Sequence, residues 1–280
     1  MELGKHKRLS RLFGVSGRSI IVPMDHGATL GPVHGLRDAL GAFRRIARCD
    51  SAVQAVVLQR GFAARVAEDL KDSGLSLILQ LSASTSLGPD PAHKQLVATV
   101  EDAVALGADG VSVHVNLGSA SEGAMVRDLG RTASQCQRWG MPLLAMVYTS
   151  AMPQGDDACT AAVAQAARVV AELGADLVRV RYPGSVAAMQ QVADGCFAPV
   201  LVAGGERTAQ PEVLVRLVAD AIEGGASGVC IGRNVFQSSA VETVLGSIAR
   251  VVHGAGEFVS PPFMSPARGS RQPGALNVVS

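Results

Sequence analysis

A short pattern recurs along this chain and narrows the folds open to it. Leu106-Gly107-Ala108-Asp109-Gly110-Val111, Leu173-Gly174-Ala175-Asp176-Leu177-Val178 and Gly224-Gly225-Ala226-Ser227-Gly228-Val229 each close a helical stretch on glycine and open a short apolar run. Glycine there accepts the left-handed backbone with which many helices end. A chain that repeatedly passes from helix into a short apolar strand builds a parallel sheet covered by helices. Apolar, β-branched runs predict strands at Ser19–Met24, Ala55–Leu58, Leu75–Leu81, Gly110–Val115, Pro142–Tyr148, Leu177–Tyr182, Val200–Ala203 and Gly228–Ile231. Helical patterning lies between them, at Leu36–Arg48, Lys94–Leu106, Ser121–Trp139, Asp156–Leu173, Ser185–Asp194, Pro211–Glu223 and Ala240–Val252, with a fainter stretch at Arg60–Lys71. Eight strands with intervening helices point to an α/β fold of the (β/α)8 TIM-barrel type, here over residues 19–255. A doubly wound open sheet is the alternative, but no G-x-G-x-x-G turn follows the first strand. Residues 1–18 read as a short N-terminal helix or extension. Residues 256–280, rich in Pro, Gly and Ser, read as a flexible, disordered tail.

Composition excludes several function classes. At 280 residues and 48% hydrophobic, the chain can bury the core that one barrel needs. A net charge of +1 and 4% aromatics argue against a nucleic-acid partner, which would call for a basic surface or a stacking platform. No apolar run reaches the roughly 20 residues of a membrane span, and the basic segment Met1–Phe13 lacks the apolar centre of a signal peptide. Cys49, Cys136, Cys159, Cys196 and Cys230 show no metal or redox spacing and read as buried thiols. The expectation is a cytoplasmic enzyme with no membrane or nucleic-acid partner and no cofactor.

In such a barrel the chemistry lies where strands end. The sixth strand leaves through Arg179, Arg181 and Tyr182. A guanidinium there binds phosphate or carboxylate but cannot act as an amine nucleophile. The first strand ends in Asp25 and His26; a carboxylate at that place can move protons, and His26 can orient a loop or a substrate. The fifth strand brings Tyr148, a phenol able to protonate an alkoxide. His114 and Asn116 alternate on the fourth strand, so both can face inward. Gly204 and Gly205 after the seventh strand, with Gly232 and Arg233 after the eighth, occupy the places where barrels bind phosphate. A metal site of Asp25, His26 and His114 can be drawn, but neighbouring residues point oppositely along an extended strand, so no metal is expected.

Several stretches carry a family resemblance: Pro23-Met24-Asp25-His26-Gly27, Gly107 to Gly118, Trp139 to Met146, Glu172 to Asp176, Ala203-Gly204-Gly205, and Ile231 to Gln237. Together they resemble the DhnA/DeoC–FbaB class I aldolases, and within them the ulosonate-synthase branch, over about Lys5 to His253. The resemblance implies a (β/α)8 barrel that makes or breaks carbon–carbon bonds in phosphorylated keto sugars, and a homo-oligomer, in the family usually a decamer. It implies Asp25 as proton acceptor, Tyr148 as proton donor, and Gly204, Gly205, Gly232 and Arg233 as phosphate ligands; the strand-end residues His26, His114, Asn116, Arg181 and Tyr182 are expected beside them on the substrate. It also implies a Schiff-base lysine on the sixth strand, and Tyr182-Pro183-Gly184 sets the register that puts Arg179 in its place. A second departure follows Tyr148, where the family's Pro-Arg-Gly is replaced by Thr149-Ser150-Ala151.

Arginine cannot form an imine. The chain's four lysines are Lys5, Lys7, Lys71 and Lys94; none stands at a predicted strand end, and Lys94 is expected near the start of a helix after a Pro-rich loop, reaching the mouth only if that loop folds over it. The expected function is therefore an aldolase-like lyase or synthase of a biosynthetic pathway that works without an imine. Asp25 and Tyr148 would move protons and Arg179 would stabilise charge. A phosphosugar isomerase or eliminase, or a non-catalytic phosphosugar-binding protein, are the alternatives.

Overall fold

In a computed structural model, which describes residues 3–149, 156–208 and 210–254, eight parallel strands close into a barrel. They are β1 (Ser19–Pro23), β2 (Ala55–Gln59), β3 (Ser76–Gln80), β4 (Gly110–Leu117), β5 (Leu143–Thr149), β6 (Leu177–Arg181), β7 (Val200–Ala203) and β8 (Gly228–Cys230). Each strand pairs with its neighbours in sequence, and β8 closes on β1 in the register Ser19↔Gly228, Ile21↔Cys230. Alternation along each strand divides the side chains into two layers. Ile21, Val57, Ile78, Met146, Leu177 and Leu201 fill the barrel, whereas Ile20, Val22, Val56, Val178 and Val202 face the helices.

Around the barrel lie α1 (Leu3–Arg11), α2 (His26–Leu30), α3 (Ala39–Ala47), α4 (Arg60–Arg65), α5 (Ala67–Lys71), α6 (Val100–Ala105), α7 (Glu122–Trp139), α8 (Asp156–Glu172), α9 (Val186–Asp194), α10 (Pro211–Glu223), α11 (Arg233–Phe236) and α12 (Val241–His253). The fainter Arg60–Lys71 stretch is two short helices broken at Val66. One expected helix is corrected. Lys94–Leu106 is helical only from Val100, because Thr99 is extended and forms a capping box with Asp102. Gln95 and Leu96 instead pair antiparallel with Ala83 and Ser82, so Lys94 belongs to a loop. Helices α2 and α11 were not expected, being too short to show a period.

Helix α1 closes the N-terminal end of the barrel. Leu12, just beyond it, joins the barrel interior, with Leu9 and Phe13 packed against that cluster. Lys5 Nζ stands 2.8 Å from Asp176, and Arg11 lies 2.7 Å from Asp109. These aspartates are the polar residues of the recurring helix-to-strand pattern, so the same joints that start β4 and β6 also hold the plug. Cys49, Cys136, Cys196 and Cys230 are buried and Cys159 is half-buried, all as free thiols. Among the described residues no helix is long and apolar enough to cross a membrane. The expected tail at 256–280 lies outside the described residues.

Candidate active site

A cavity of about 500 Å³ opens at the C-terminal ends of the strands. Asp25, His26, His114, Asn116, Tyr148, Arg179 and Arg233, all singled out from the sequence, line it.

Asp25 leaves β1 at the N-cap position of α2, and its backbone there is helical (φ −78°, ψ −5°). An extended chain would send Asp25 and His26 to opposite sides, whereas this turn aims both into the cavity. The Asp25 side chain accepts no bond from the helix amides, so it does not serve as a cap. It is 8% exposed, and His26 Nδ1 lies 3.4 Å from its carboxylate. That nitrogen is buried with no hydrogen-bond partner. Burial lowers the His26 pKa, with Asp25 opposing the shift, and the ring packs edge-on against Phe236. Asp25, His26 and His114 share the cavity, but among the described residues no three His, Cys, Asp or Glu side chains are grouped to hold a metal ion.

Strands β5 and β6 supply the next cluster. Their register pairs Met146 with Arg179, which places Tyr148 beyond Arg179 toward the mouth. Arg179 is 9% exposed; its Nη1 donates to the Tyr148 hydroxyl, and its Nε donates to the Cys230 carbonyl at 3.3 Å. The guanidinium carbon also lies 5.3 Å from the centre of the Tyr148 ring. Burial works against the charge on Arg179, but Tyr148, Cys230 and Asp25 outweigh it, so its pKa is raised above the usual value. His114 also packs edge-on against Tyr148. Burial pushes the His114 pKa down to about 4, with Asp25 opposing, so its imidazole is neutral at pH 7.

Lys94 also lines the cavity, which corrects the expectation that it begins a helix. The loop that carries it folds over the mouth and is tied on both sides. Asn116 Nδ2 donates to the Ala92 carbonyl at 2.5 Å, and the Ser86 amide donates to the Thr29 carbonyl at 2.9 Å. Lys94 Nζ donates to Ser84 Oγ at 2.6 Å and to Thr29 Oγ1 at 3.3 Å. Burial lowers its pKa, Asp25 opposing. The capping-box spacing from Thr99 to Asp102 was the sequence signal that helix α6 starts late and leaves Lys94 free. Nothing local marked Thr29 or Ser84, because their partner is distant in sequence.

The remaining predicted residues lie around this cavity without lining it. Gly232 precedes α11, and a Cβ there would come within 2.6 Å of the Pro23 carbonyl oxygen and 2.8 Å of His26 Cε1. Glycine is thus needed for the close approach of β8 to the Asp25 turn. Gly205 has φ +68°, and no atom lies within 4 Å of where its Cβ would be. Asn234, buried and not given a role from the sequence, joins the two glycine loops: its Nδ2 donates to the Gly204 and Glu206 carbonyls at 2.9 Å, and its Oδ1 accepts from the Thr208 amide at 2.8 Å. The Arg233 side chain lines the cavity and has no hydrogen bond or ion pair among the described residues. Arg181 lines a separate cavity of about 80 Å³ beside Val163 and Val180. Tyr182 packs against the cluster between barrel and helices, and its hydroxyl is buried without a partner.

Chemically, one buried carboxylate faces a phenol, two imidazoles and three cations. Such a site can abstract a proton beside a carbonyl, stabilise the resulting oxyanion and return a proton elsewhere.

A sequence profile for DeoC/LacD family aldolase matches residues 19–238. The chain is 43% identical over 253 residues to 2-amino-3,7-dideoxy-D-threo-hept-6-ulosonate synthase 1 of Archaeoglobus fulgidus, covering 90% of this chain and 92% of that one. It is 40% identical over 242 residues to 2-amino-4,5-dihydroxy-6-oxo-7-(phosphonooxy)heptanoate synthase of Streptomyces griseus, covering 85% and 86%. Among solved structures, an archaeal fructose 1,6-bisphosphate aldolase superposes with a TM-score of 0.79 at 31% identity over 89% of this chain and 99% of that one. An archaeal fructose-1,6-bisphosphate aldolase with its catalytic lysine covalently bound to the carbinolamine intermediate gives 0.79 at 29% identity, over 89% and 100%.

Proposed function

This chain belongs to the DeoC/LacD family of aldolases, and from that premise we propose that it makes or breaks a carbon–carbon bond in a phosphorylated keto sugar, in a biosynthetic pathway, without forming an imine. The observation that carries this reading is Arg179, buried on β6 and hydrogen-bonded to Tyr148, at the position where the family resemblance puts the Schiff-base lysine. A guanidinium keeps its proton and is a poor nucleophile, so it acts by charge.

On this reading Asp25 removes the proton beside the substrate carbonyl. The negative charge that develops on the carbonyl oxygen is stabilised by Arg179; one preorganised donor contributes about 3–4 kcal/mol to such a step. The enediolate carbon then adds to an aldehyde, and Tyr148 protonates the new alkoxide. Return of the proton from Asp25 to Tyr148 restores both groups. Neutral His114 and His26 sit beside these groups without adding charge. The substrate phosphate belongs near Arg233 and the Gly204, Gly205 and Gly232 loops, where the Arg233 side chain has no partner among the described residues and the backbone is open at Gly205. The Streptomyces griseus relative supports this substrate class, since the product in its name carries a 6-oxo group, a 7-phosphonooxy group and a carboxylate.

The test is exchange of the α-proton of dihydroxyacetone phosphate in D2O, followed by borohydride and peptide mapping. The wild-type protein should catalyse exchange and give no covalent adduct, and Arg179→Lys should gain one on the new amine. A borohydride-stable adduct on a wild-type lysine would overturn the imine-free step. Absence of both exchange and bond cleavage with phosphorylated ketoses would overturn the function itself.

A further inference from the structure

Lys94 has no role in the proposed proton transfers, yet it is held in the same cavity. We propose that Lys94 and Thr29 form a second anion subsite that takes a carboxylate on the second, aldehyde-bearing substrate, on a different wall of the barrel from Arg233.

Three observations carry this inference. The first is position. Lys94 follows β3 and Arg233 follows β8, and around the closed barrel β2 and β1 stand between those strands. The two cations thus enter the pocket from different strand ends, Lys94 beside Ser84 and Thr29 and Arg233 at the start of α11, giving it two positively charged regions. The second is the state of the amine. Among the described residues, Lys94 Nζ donates only to the hydroxyls of Ser84 and Thr29, and no carboxylate lies within 4.0 Å of it. An ammonium has three N–H donors, so one remains. Ser84 spends its own proton on the Pro91 carbonyl at 2.7 Å. Thr29 Oγ1 accepts from Lys94 and keeps its proton for a further partner. Two donors from neighbouring groups therefore remain for one acceptor group, which suits the paired oxygens of a carboxylate. The third is charge. Lys94, Arg179 and Arg233 line the cavity against the single carboxylate of Asp25. A part-buried excess of positive charge is stable when a ligand brings negative groups. A phosphate at the Arg233 pole accounts for one of them and leaves the Lys94 pole for another.

The amine is also fixed in place. The pairing of Ser82 with Leu96 and of Ala83 with Gln95, together with the Asn116–Ala92 bond, holds the loop on both sides of Lys94. A fixed cation on a tied loop discriminates between substrates better than a mobile surface lysine, because little ordering is required on binding.

That the carboxylate sits on the aldehyde-bearing partner rests on the function proposed above; the anion subsite does not. The test is calorimetric titration of succinate and of inorganic phosphate into the wild type, Lys94→Met, Lys94→Arg and Arg233→Gln. Melting temperature serves as the folding control. Lys94→Met should weaken succinate at least about tenfold, the loss of one charge-assisted contact, and leave phosphate binding unchanged. Lys94→Arg should retain succinate to within a few-fold, and Arg233→Gln should lose phosphate. Equal succinate affinity in the wild type and Lys94→Met would overturn the subsite, as would loss of phosphate rather than succinate in Lys94→Met. A borohydride adduct on Lys94 would make it a nucleophile and overturn it equally. Proton exchange with dihydroxyacetone phosphate needs no second substrate, so a failure of the proposed function registers there independently.

Discussion

The two ends of this barrel use the same residue types and treat them in opposite ways. At the N-terminal end, Lys5 faces Asp176 and Arg11 faces Asp109, both acids supplied by the joints that start β6 and β4. At the C-terminal end, Lys94, Arg179 and Arg233 converge on a cavity whose lining holds one carboxylate, Asp25. Helix α1 seals the first end with the chain's own atoms, so its charges must be satisfied internally. The second end is open, and its charges remain available to a ligand. A buried charge without a partner is destabilising. Among the described residues, the cations at the open end have no carboxylate within 4.0 Å, whereas those at the closed end are held by Asp176 and Asp109, which is the contrast that a ligand-binding face would require.

This contrast can be broken from either side. The largest effect is expected at the open end. Asp25→Asn should lower turnover about 10²–10⁴-fold while leaving the melting temperature and phosphate binding near the wild-type values. Full activity in that variant would remove Asp25 from the chemistry. At the closed end the order reverses. Lys5 is 5% exposed, and Lys5→Met leaves the Asp176 carboxylate with the Leu143 amide but without its cation. Denaturant unfolding should show a loss of about 3–5 kcal/mol, with per-molecule activity unchanged in the folded fraction, and Asp176→Asn in the same chain should recover part of it. Arg11→Ala should cost under about 1 kcal/mol, because the Arg11 side chain is 64% exposed and its pair is screened by water. If the two closed-end variants cost the same, burial is not what distinguishes the pairs.

A smaller effect is expected from pH. His114 has a native pKa of about 4 against an ordinary 6.5. Between those values the unfolded chain binds a proton that the native site refuses. The stability this group confers is therefore complete above pH 6.5 and is lost as pH falls toward 4, by at most about 3 kcal/mol. Urea unfolding of the wild type and of His114→Gln at pH 7 and pH 4.5 should show a shallower decline in the variant. Parallel declines would mean that His114 titrates normally in the native state.

Most of the fold was legible from local pattern, and the strand ends named the greater part of the cavity. Asp25, Tyr148, Arg179 and Arg233 could be found because a polar residue after a buried strand has few places to go. What was missed has a common cause. Lys94 was read into a helix because its segment suits one, until the Thr99–Asp102 cap is weighed. Its partner Thr29 is 65 residues away, and no local pattern reports a contact of that span. Tyr182 is expected beside the substrate because it follows Arg179 and Arg181 at a strand end, and its ring packs against the cluster between barrel and helices. Asp109 and Asp176 were visible in the repeat, but their task became clear only with α1 in position.

Periodicity and glycine joints acting over a few residues were therefore enough to specify a (β/α)8 barrel and the strand ends from which chemistry departs. Tertiary structure alone decided which charges meet. It turned Asp25 and His26 to the same side, folded the Lys94 loop over the mouth, and joined Lys5 to Asp176 across 171 positions of sequence. The division follows from range. Backbone preference and burial pattern are properties of neighbouring residues, whereas pairing between charges depends on distance in space, which exists only once the barrel has closed.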